Sequence, residues 1–352
     1  MGSTSVHEFH EVPRERGPTW KRNRFSRAIT FLGLLFLLTA CSGPQSMLDA
    51  AGTGARETLS IWWLMFWLGT AVFVVVLALL WFAVTRATPP ESDTTQTSTT
   101  RTRIVLLGGI VAPVIIVAIV FVFSTRGLVA IGDLRGNNDV TIDVVAHQFW
   151  WEVSYPDENF VTANEIHIPV DESVEIRLTS EDVIHSFWVP SLHGKIDVMP
   201  GHTTSITLRA EETGTFRGQC AQFCGAQHAN MAFLVIVQEP DEFRAWAAHQ
   251  SEPAVAVPED PAIVRGQDIF MSSMCVYCHT VRGTAATGTL GPDLTHFGGR
   301  YTIGAGMMEN NRGNLAGWIV DPQELKPGNH MPGITLTGEE LDSLLDYLES
   351  LD

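Results

Sequence analysis

Two short stretches hold the residues best suited to chemistry. In Cys220-Ala-Gln-Phe-Cys224-Gly-Ala-Gln-His228-Ala-Asn-Met231, two thiols, an imidazole and a thioether fall within twelve residues. Thiolate, imidazole and thioether are the soft and borderline donors that select copper, and two Cys four apart can aim at one point from a loop. These are the residue types of a blue-copper loop with one thiolate more, and the extra thiolate suggests two coppers bridged by both sulfurs. Downstream, Cys275-Val-Tyr-Cys278-His279 carries the attachment signature of c-type haem: two thiols spaced to bond the vinyl groups, and an adjacent imidazole to reach the iron. Met331, in the loop Pro327-Gly-Asn-His-Met-Pro-Gly333, offers a thioether on the other side. A Met/His pair makes a six-coordinate iron suited to electron transfer rather than oxygen binding.

Other readings of these residues stay open at this stage. Two Cys and two His also satisfy zinc, and a bare Cys-x-x-Cys-His also serves as a redox dithiol or part of a zinc site. His330 and His296 rival Met331 as the sixth iron ligand, with Met307 and Met308 behind them. His185, in Ser180-Glu-Asp-Val-Ile-His-Ser-Phe-Trp-Val-Pro190, lies just after a predicted strand among apolar residues; it is either a further metal ligand or a core histidine. His147, His167, His193 and His202 read as strand or surface histidines.

The elements that must position these groups are arranged in series along the 352 residues. Residues 1–40 carry six Lys/Arg against three Asp/Glu, and the apolar run Ala28–Ala40 comes after the basic start. That is the form of a signal peptide, and Leu38-Thr39-Ala40-Cys41 resembles a bacterial lipoprotein cleavage box. The expectation is cleavage before Cys41 and lipidation of its thiol, the alternative being an uncleaved third transmembrane helix. Uncharged runs at residues 59–84 and 104–124 are long enough to cross a bilayer core of ~30 Å. Arg86, Arg101 and Arg103 lie between or beside them, which puts the connecting loop in the cytoplasm and everything after Arg126 outside.

From Val140 the texture becomes β-rich. Strands are predicted at residues 140–146, 150–155, 165–170, 174–179, 204–209 and 233–237, half-buried where polar and apolar residues alternate. Such a series suggests a β-sandwich or Greek-key barrel. A short helix is predicted at 239–250. The Pro- and Ala-rich segment 251–261 comes next as a spacer of roughly 35–40 Å when extended, long enough for the last unit to move against the sandwich. A helix at 263–271 leads into the haem signature, and a capped helix at 337–351 closes the chain.

Residues 127–238 carry 15 acids and five bases, and residues 239–352 carry 17 acids and six bases. Phosphate binding needs the opposite sign, so nucleic acid is excluded as a partner. The five cysteines, Cys41, Cys220, Cys224, Cys275 and Cys278, all fall in these patterns, and none is left for a structural disulfide.

Taken together, the lipoprotein box, the two spans, His185-Ser-Phe-Trp-Val-Pro-Ser-Leu, Lys195-Ile-Asp197-Val-Met-Pro-Gly201 and the Cys-x3-Cys-x3-His-x2-Met loop resemble subunit 2 of haem–copper cytochrome c oxidases. Residues 261–352, with Gly291-Pro-Asp-Leu-Thr-His-Phe297, resemble a class I cytochrome c. The resemblance implies a multidomain architecture in five parts: a signal peptide (1–40), a two-helix transmembrane hairpin (41–126), a cupredoxin-like β-sandwich (127–238), a helix and linker (239–260) and an all-α c-type cytochrome (261–352).

For the site it implies a dinuclear copper centre. Cys220 and Cys224 bridge the pair, His185 and Met231 complete one copper, and His228 with the backbone carbonyl of Gln222 completes the other. It implies covalent haem c on Cys275 and Cys278, ligated by His279 and Met331, and a lipid on Cys41. No residue of the chain acts as a catalyst in this reading. The implied role is electron input from an upstream cytochrome or reductase. Electrons pass to subunit 1 of an oxidase in a bacterial cell membrane, where oxygen is reduced to water and protons are pumped. A free-standing membrane-anchored electron carrier is the alternative.

Three positions depart from the family pattern. Gln222 replaces a usual Glu, which removes a side-chain magnesium ligand but leaves a backbone ligand intact. Phe149 stands where the family's electron-accepting Trp is usual, with Trp150 and Trp151 next to it. Leu106 occupies the place of a Glu associated with proton uptake.

Overall fold

The computed structural model describes residues 43–86, 99–134, 139–254 and 260–352. Residues 1–40 and Cys41, with the signal peptide and lipidation read from them, lie outside the described residues.

Two helices are apolar on every side. Helix α1 (Thr53–Thr85) is continuous. The second span starts as α2 (Thr99–Leu106), passes through a π turn (Leu107–Val111) and continues as α3 (Ala112–Asp133), with Pro113 in the first turn of α3. It runs past residue 126, the end expected for the hairpin. Large apolar side chains such as Trp67, Phe73, Val117 and Leu128 point outward and are more than half exposed. An outward-facing apolar surface with every backbone group bonded within the helix suits lipid as the solvent. Gly127 of α3 lets Ile61 and Glu57 of α1 approach: a Cβ there would sit 3.4 Å from Ile61 Cδ1.

The first turn of α1 is stitched to loops of the β-rich domain. The amides of Ala51, Thr53 and Ala55 donate to the carbonyls of Ser191 (2.7 Å), Arg209 (3.1 Å) and Leu192 (3.1 Å), while Glu211 N donates to Ala51 O (2.8 Å). Gly52 and Gly54 allow this approach, since a Cβ on either would overlap the Leu192 carbonyl or the His193 ring.

Ten strands form two five-stranded sheets. One has the order β3 (Phe160–Ala163), β2 (Trp150–Tyr155), β1 (Val140–His147), β5 (Val174–Ser180), β8 (Thr204–Leu208). The other runs β4 (Glu165–Pro169), β10 (Ala232–Gln238), β9 (Gly214–Cys220), β6 (His185–Trp188), β7 (Ile196–Val198). The β1–β5 and β4–β10 pairs are parallel and the others antiparallel. Strict alternation in β1 and β5 turns Ile142, Val144, Ile176 and Leu178 into the core between the sheets.

Strands β3, β6, β7 and β9 were not anticipated. Strand β9 reads poorly because it holds Gly214 and Gly218. Gly218 is required there, since a Cβ would overlap the ring of Phe233 on the neighbouring β10. Strand β4 also departs from expectation: every residue is buried, not every second one. Ile166 and Ile168 face the core. The polar alternates are covered, His167 by a stack on Trp246 of α4 (Pro240–Ser251) at 3.8 Å, and Glu165 by residues 301–302.

The C-terminal helices surround a second core. Helix α5 (Pro261–Ser272) is capped by Asp260, whose carboxylate accepts from Ala262 N (2.9 Å). It crosses the closing helix α9 (Gly338–Glu349), which starts with a complete capping box of Thr337 and Glu340. Gly266 is the crossing point, because a Cβ there would overlap the Ser343 carbonyl oxygen. Between them come α6 (Cys275–Cys278), the short pair β11 (Thr302–Ile303) and β12 (Met308–Glu309), α7 (Arg312–Val320) and α8 (Pro322–Leu325).

The linker was expected to allow this unit to move against the sandwich; in the structure direct bonds join the two. Gln227 Nε2 donates to Pro327 O (2.8 Å), Arg217 Nη1 to Gly306 O (3.0 Å), and Ala232 N to Ala305 O (3.0 Å). The linker length set an upper limit on separation, and hydrogen bonds well outside the linker close the distance.

Candidate metal centre and adjoining haem cavity

Strand β9 ends at Cys220 and β6 begins at His185; Phe187 of β6 pairs with Cys220 across the ladder. The loop after Cys220 then folds back through a 3-10 turn at His228–Asn230, which delivers Met231 to the start of β10. Cys220 N donates to Met231 O (2.9 Å), pinning both ends of the loop together.

The side chains meet in the protein interior. Cys220 Sγ lies 3.8 Å from Cys224 Sγ, 3.8 Å from His185 Nδ1 and 3.3 Å from the carbonyl oxygen of Gln222. Cys224 Sγ lies 3.7 Å from His228 Nδ1 and 3.9 Å from Met231 Sδ. His185, Cys220, Cys224 and Met231 are all buried. The donor atoms of His185, Cys220 and Cys224 fall within 4.8 Å of one another, close enough to hold a metal ion. All six groups singled out in the sequence therefore converge.

The contact between the two sulfurs splits their acidities: Cys220 is pushed well down, first by its bond with Cys224 and against the effect of burial, which favours its thiolate, while Cys224 is pushed up. Burial alone would lower His185, but Cys220 and Asp182 outweigh it and raise it. His185 Nε2 meets Asp182 Oδ1 at 2.8 Å, so Nδ1 is left facing the sulfurs. A carboxylate behind a ligating imidazole orients the ring and raises its basicity.

A cavity of about 490 Å³ opens in the C-terminal unit. Cys275, Cys278, His279 and Met331 lie on its wall, with apolar Phe270, Leu315, Ile319 and Leu344. His279 Nδ1 meets Pro292 O at 2.8 Å, which fixes the tautomer and leaves Nε2 available, and burial pushes the ring's pKa down against the effect of that bond. His330 also lines the cavity but is an exposed side chain. His296 does not: its Nε2 is bonded to Glu252 O at 3.0 Å. The guanidinium of Arg300 is on the cavity wall, and its buried Nε has no partner among the described residues. An apolar slot with two thiols, an imidazole, a thioether and one unpaired buried donor has the lining that would hold a covalently attached haem.

Sequence reasoning missed four polar residues here: Gln148, Glu165, Arg300 and Lys326. Gln148 Nε2 donates to Cys224 O (2.5 Å) and also lines the haem cavity. Glu165 Oε1 accepts from Tyr301 N (2.9 Å), Thr302 N (2.9 Å) and Thr302 Oγ1 (3.2 Å). Lys326 is buried at 2% exposure. Each is a lone polar residue without a motif, and only the fold reveals what it faces. The aromatic run divides: Phe149 and Trp150 line the haem cavity, whereas Trp151 is fully buried and meets His185 edge-on at 6.0 Å between ring centres.

Comparison with known proteins agrees with this architecture. Residues 158–238 match the family described as cytochrome c oxidase subunit II, periplasmic domain, and residues 263–352 match cytochrome c. Cytochrome c oxidase subunit 2 of Alkalihalophilus pseudofirmus is 37% identical over 337 residues, 92% of this chain and 97% of the relative. The subunit 2 of Bacillus sp. (strain PS3) is 36% identical over 259 residues, 68% of this chain and 72% of its own. Among solved structures, the periplasmic domain of subunit II of cytochrome oxidase from Bradyrhizobium japonicum is 32% identical. It covers 32% of this chain and 94% of its own length, with a TM-score of 0.31. With two membrane-length apolar helices ahead of the periplasmic-domain match, the chain is membrane-anchored and carries an extracytoplasmic domain. Two apolar helices, a cupredoxin-like sandwich and a cytochrome c unit, with 37% identity over 97% of the Alkalihalophilus pseudofirmus subunit, make this chain a member of the cytochrome c oxidase subunit 2 family.

Proposed function

We propose that the chain is the electron-input subunit of a respiratory haem–copper oxidase, holding a haem c and a dinuclear copper centre and delivering electrons to subunit 1. Oxygen reduction to water and the coupled proton pumping belong to that partner. The observation that carries the reading is a shared wall: Gln148 lines the haem cavity and is bonded to the backbone of Cys224 in the metal cluster.

When bound, the two groups supply one-electron redox chemistry at adjacent points. Cys220, Cys224, His185, His228, Met231 and the Gln222 carbonyl would hold the copper pair, and Cys275, Cys278, His279 and Met331 would hold the haem. The residues around them hold the ligands still. Asp182 orients His185, Pro292 O orients His279, and pairing of β6 with β9 in one sheet fixes the strand ends that carry His185 and Cys220. Little rearrangement on a change of charge is what a carrier needs.

Purification of the complex in mild detergent, followed by metal analysis, copper spectroscopy and haem quantitation, tests the reading. The expected result is two coppers and one covalent haem per chain, with further non-covalent haems from a co-purifying oxidase subunit and oxygen consumption with a reduced donor. A preparation with this chain's cofactors but no further haem would instead identify a free-standing membrane electron carrier.

A further inference from the structure

The surface between the sandwich and the C-terminal unit contains an unusual buried cation. Lys326, in the loop after α8, is 2% exposed. Its Nζ donates to three carbonyl oxygens: Phe149 (3.0 Å), Asn230 (2.8 Å) and Gly304 (2.8 Å). An ammonium has three N–H donors, and here all three are used. The acceptors come from three different segments. Phe149 belongs to the aromatic run on the haem-cavity wall, Asn230 precedes Met231 in the metal loop, and Gly304 belongs to the loop that closes the haem cavity.

A buried charge is costly unless it is fully bonded. Carbonyl acceptors on three sides, at hydrogen-bonding distance, meet that condition only while the two units keep their present spacing. The opposite arrangement occurs on the same surface. Glu165 of β4 is 3% exposed and reaches from the sandwich to the amides of Tyr301 and Thr302. Each unit thus inserts one ionisable side chain of its own among backbone groups of the other, a lysine among carbonyls and a glutamate among amides, while burial pushes Lys326 down to about 7 and Glu165 up. Gln227 and Arg217 add bonds to Pro327 O and Gly306 O around them.

We propose that Lys326 is a positioning residue that fixes the haem unit against the copper loop and so sets the rate of haem-to-copper electron transfer. This rests on the function proposed above. The step is a one-electron transfer: the haem is oxidised, the copper pair is reduced, and no atom or proton is exchanged. Lys326 acts by geometry, holding Phe149, Asn230 and Gly304 to one point. Rates that depend on close alignment fall steeply with displacements of an ångström.

The test uses the full chain within its oxidase complex, with Lys326→Met, which keeps length and removes the donors. A ruthenium photoreductant injects one electron at the haem, and transient absorbance follows its transfer to copper. The expected result is a rate lower by about ten-fold or more, with the haem and copper spectra and both potentials unchanged and direct reduction of copper by dithionite unaffected. A rate within about two-fold of the unaltered chain, at full cofactor loading, overturns the proposal. So does a slower rate that merely tracks a shifted potential. Should the Met variant fail to assemble, Lys326→Gln, which keeps two N–H donors, is read by the same criteria. Absence of the haem or copper signal in the unaltered chain would count against the relay itself, not against the role of Lys326.

Discussion

Asp182 holds His185 from behind: its carboxylate meets Nε2 at 2.8 Å while Nδ1 of the same ring lies 3.8 Å from Cys220 Sγ. The carboxylate is itself steadied by the amides of Gln148 (2.6 Å) and Val183 (2.6 Å). These bonds and His185 outweigh the effect of burial and keep it below the usual carboxylate range. Removing it frees the ring to rotate and leaves the Gln148 amide unpaired. Asp182→Ala is expected to weaken copper binding ~10–100-fold, measured by chelator competition on the purified complex. Retained affinity would show that the strand alone orients His185.

Among the described residues, Met331 is the only methionine on the cavity wall besides Met274, which lies beside the attachment motif. Thioether ligation raises the potential of haem iron. Met331→Ala is expected to lower the haem c potential by on the order of 100 mV or more, within the ~0.8 V that axial ligands span. A redox titration of the covalent haem reads this directly. An unchanged potential would transfer the role to His330.

His167 gives the sandwich an acid-sensitive point on β4. Burial pushes its pKa from 6.5 to about 4, against the effect of its bond to Gln238. Its ring is stacked on Trp246 and its Nδ1 is 2.8 Å from Gln238 Oε1. The unfolded chain takes up a proton near pH 6.5 that the folded chain refuses until about pH 4. Stability from this group is therefore complete above pH 6.5 and falls as the pH drops toward 4, by about 3 kcal/mol in all. Thermal melting of the full chain in detergent should show this slope. His167→Phe, which keeps a ring on Trp246, is expected to flatten it; an identical slope in the variant would assign the acid sensitivity elsewhere.

Gly266 lies where α5 crosses α9, and a Cβ there would overlap the Ser343 carbonyl and approach Tyr347 Cβ at 2.7 Å. Both obstacles are backbone or the root of a buried side chain, so the helices themselves must part. Gly266→Ala is expected to cost ~1–3 kcal/mol, even though Ala is the better helix former. The measurement is the thermal loss of the haem absorbance band, with the sandwich transition followed separately by tryptophan fluorescence. A melting point equal to that of the unaltered chain would mean that the helices have slack.

Motif-bearing residues were legible in the sequence, and covered surfaces were not. The spacing of Cys220, Cys224, His228 and Met231 is local and chemically specific, so the cluster could be read without a fold. His185 was recognisable only in company with that loop, and the structure brings it to the sulfurs because β6 and β9 pair. Strong alternation marked β4 and β5. The glycines of β9 hid a strand whose existence depends on Phe233 occupying the space above Gly218.

Strand β4 carried the same alternating signal as β5, yet both its faces are covered, because alternation reports one buried face and says nothing of what lies on the other. Lys326 and Glu165 belong to the same class. A single Lys in a Pro- and Gly-rich loop and a single Glu on a strand both read as solvated charges. Their burial is a property of two units meeting, and no periodicity within either unit encodes it.

The stitching of residues 51–55 to the loops at 191–192 and 209–211 makes the junction between span and sandwich a short, bonded splint. A flexible stalk would let the extracytoplasmic domain tilt and bob relative to the lipid headgroups. Backbone bonds in the first turn of α1 remove that freedom, so the height and pitch of the face that carries Cys220 above the bilayer are dictated by how α1 seats in the membrane. A substitution that lengthens or tilts that helix would be felt at Cys220 as a change in aim.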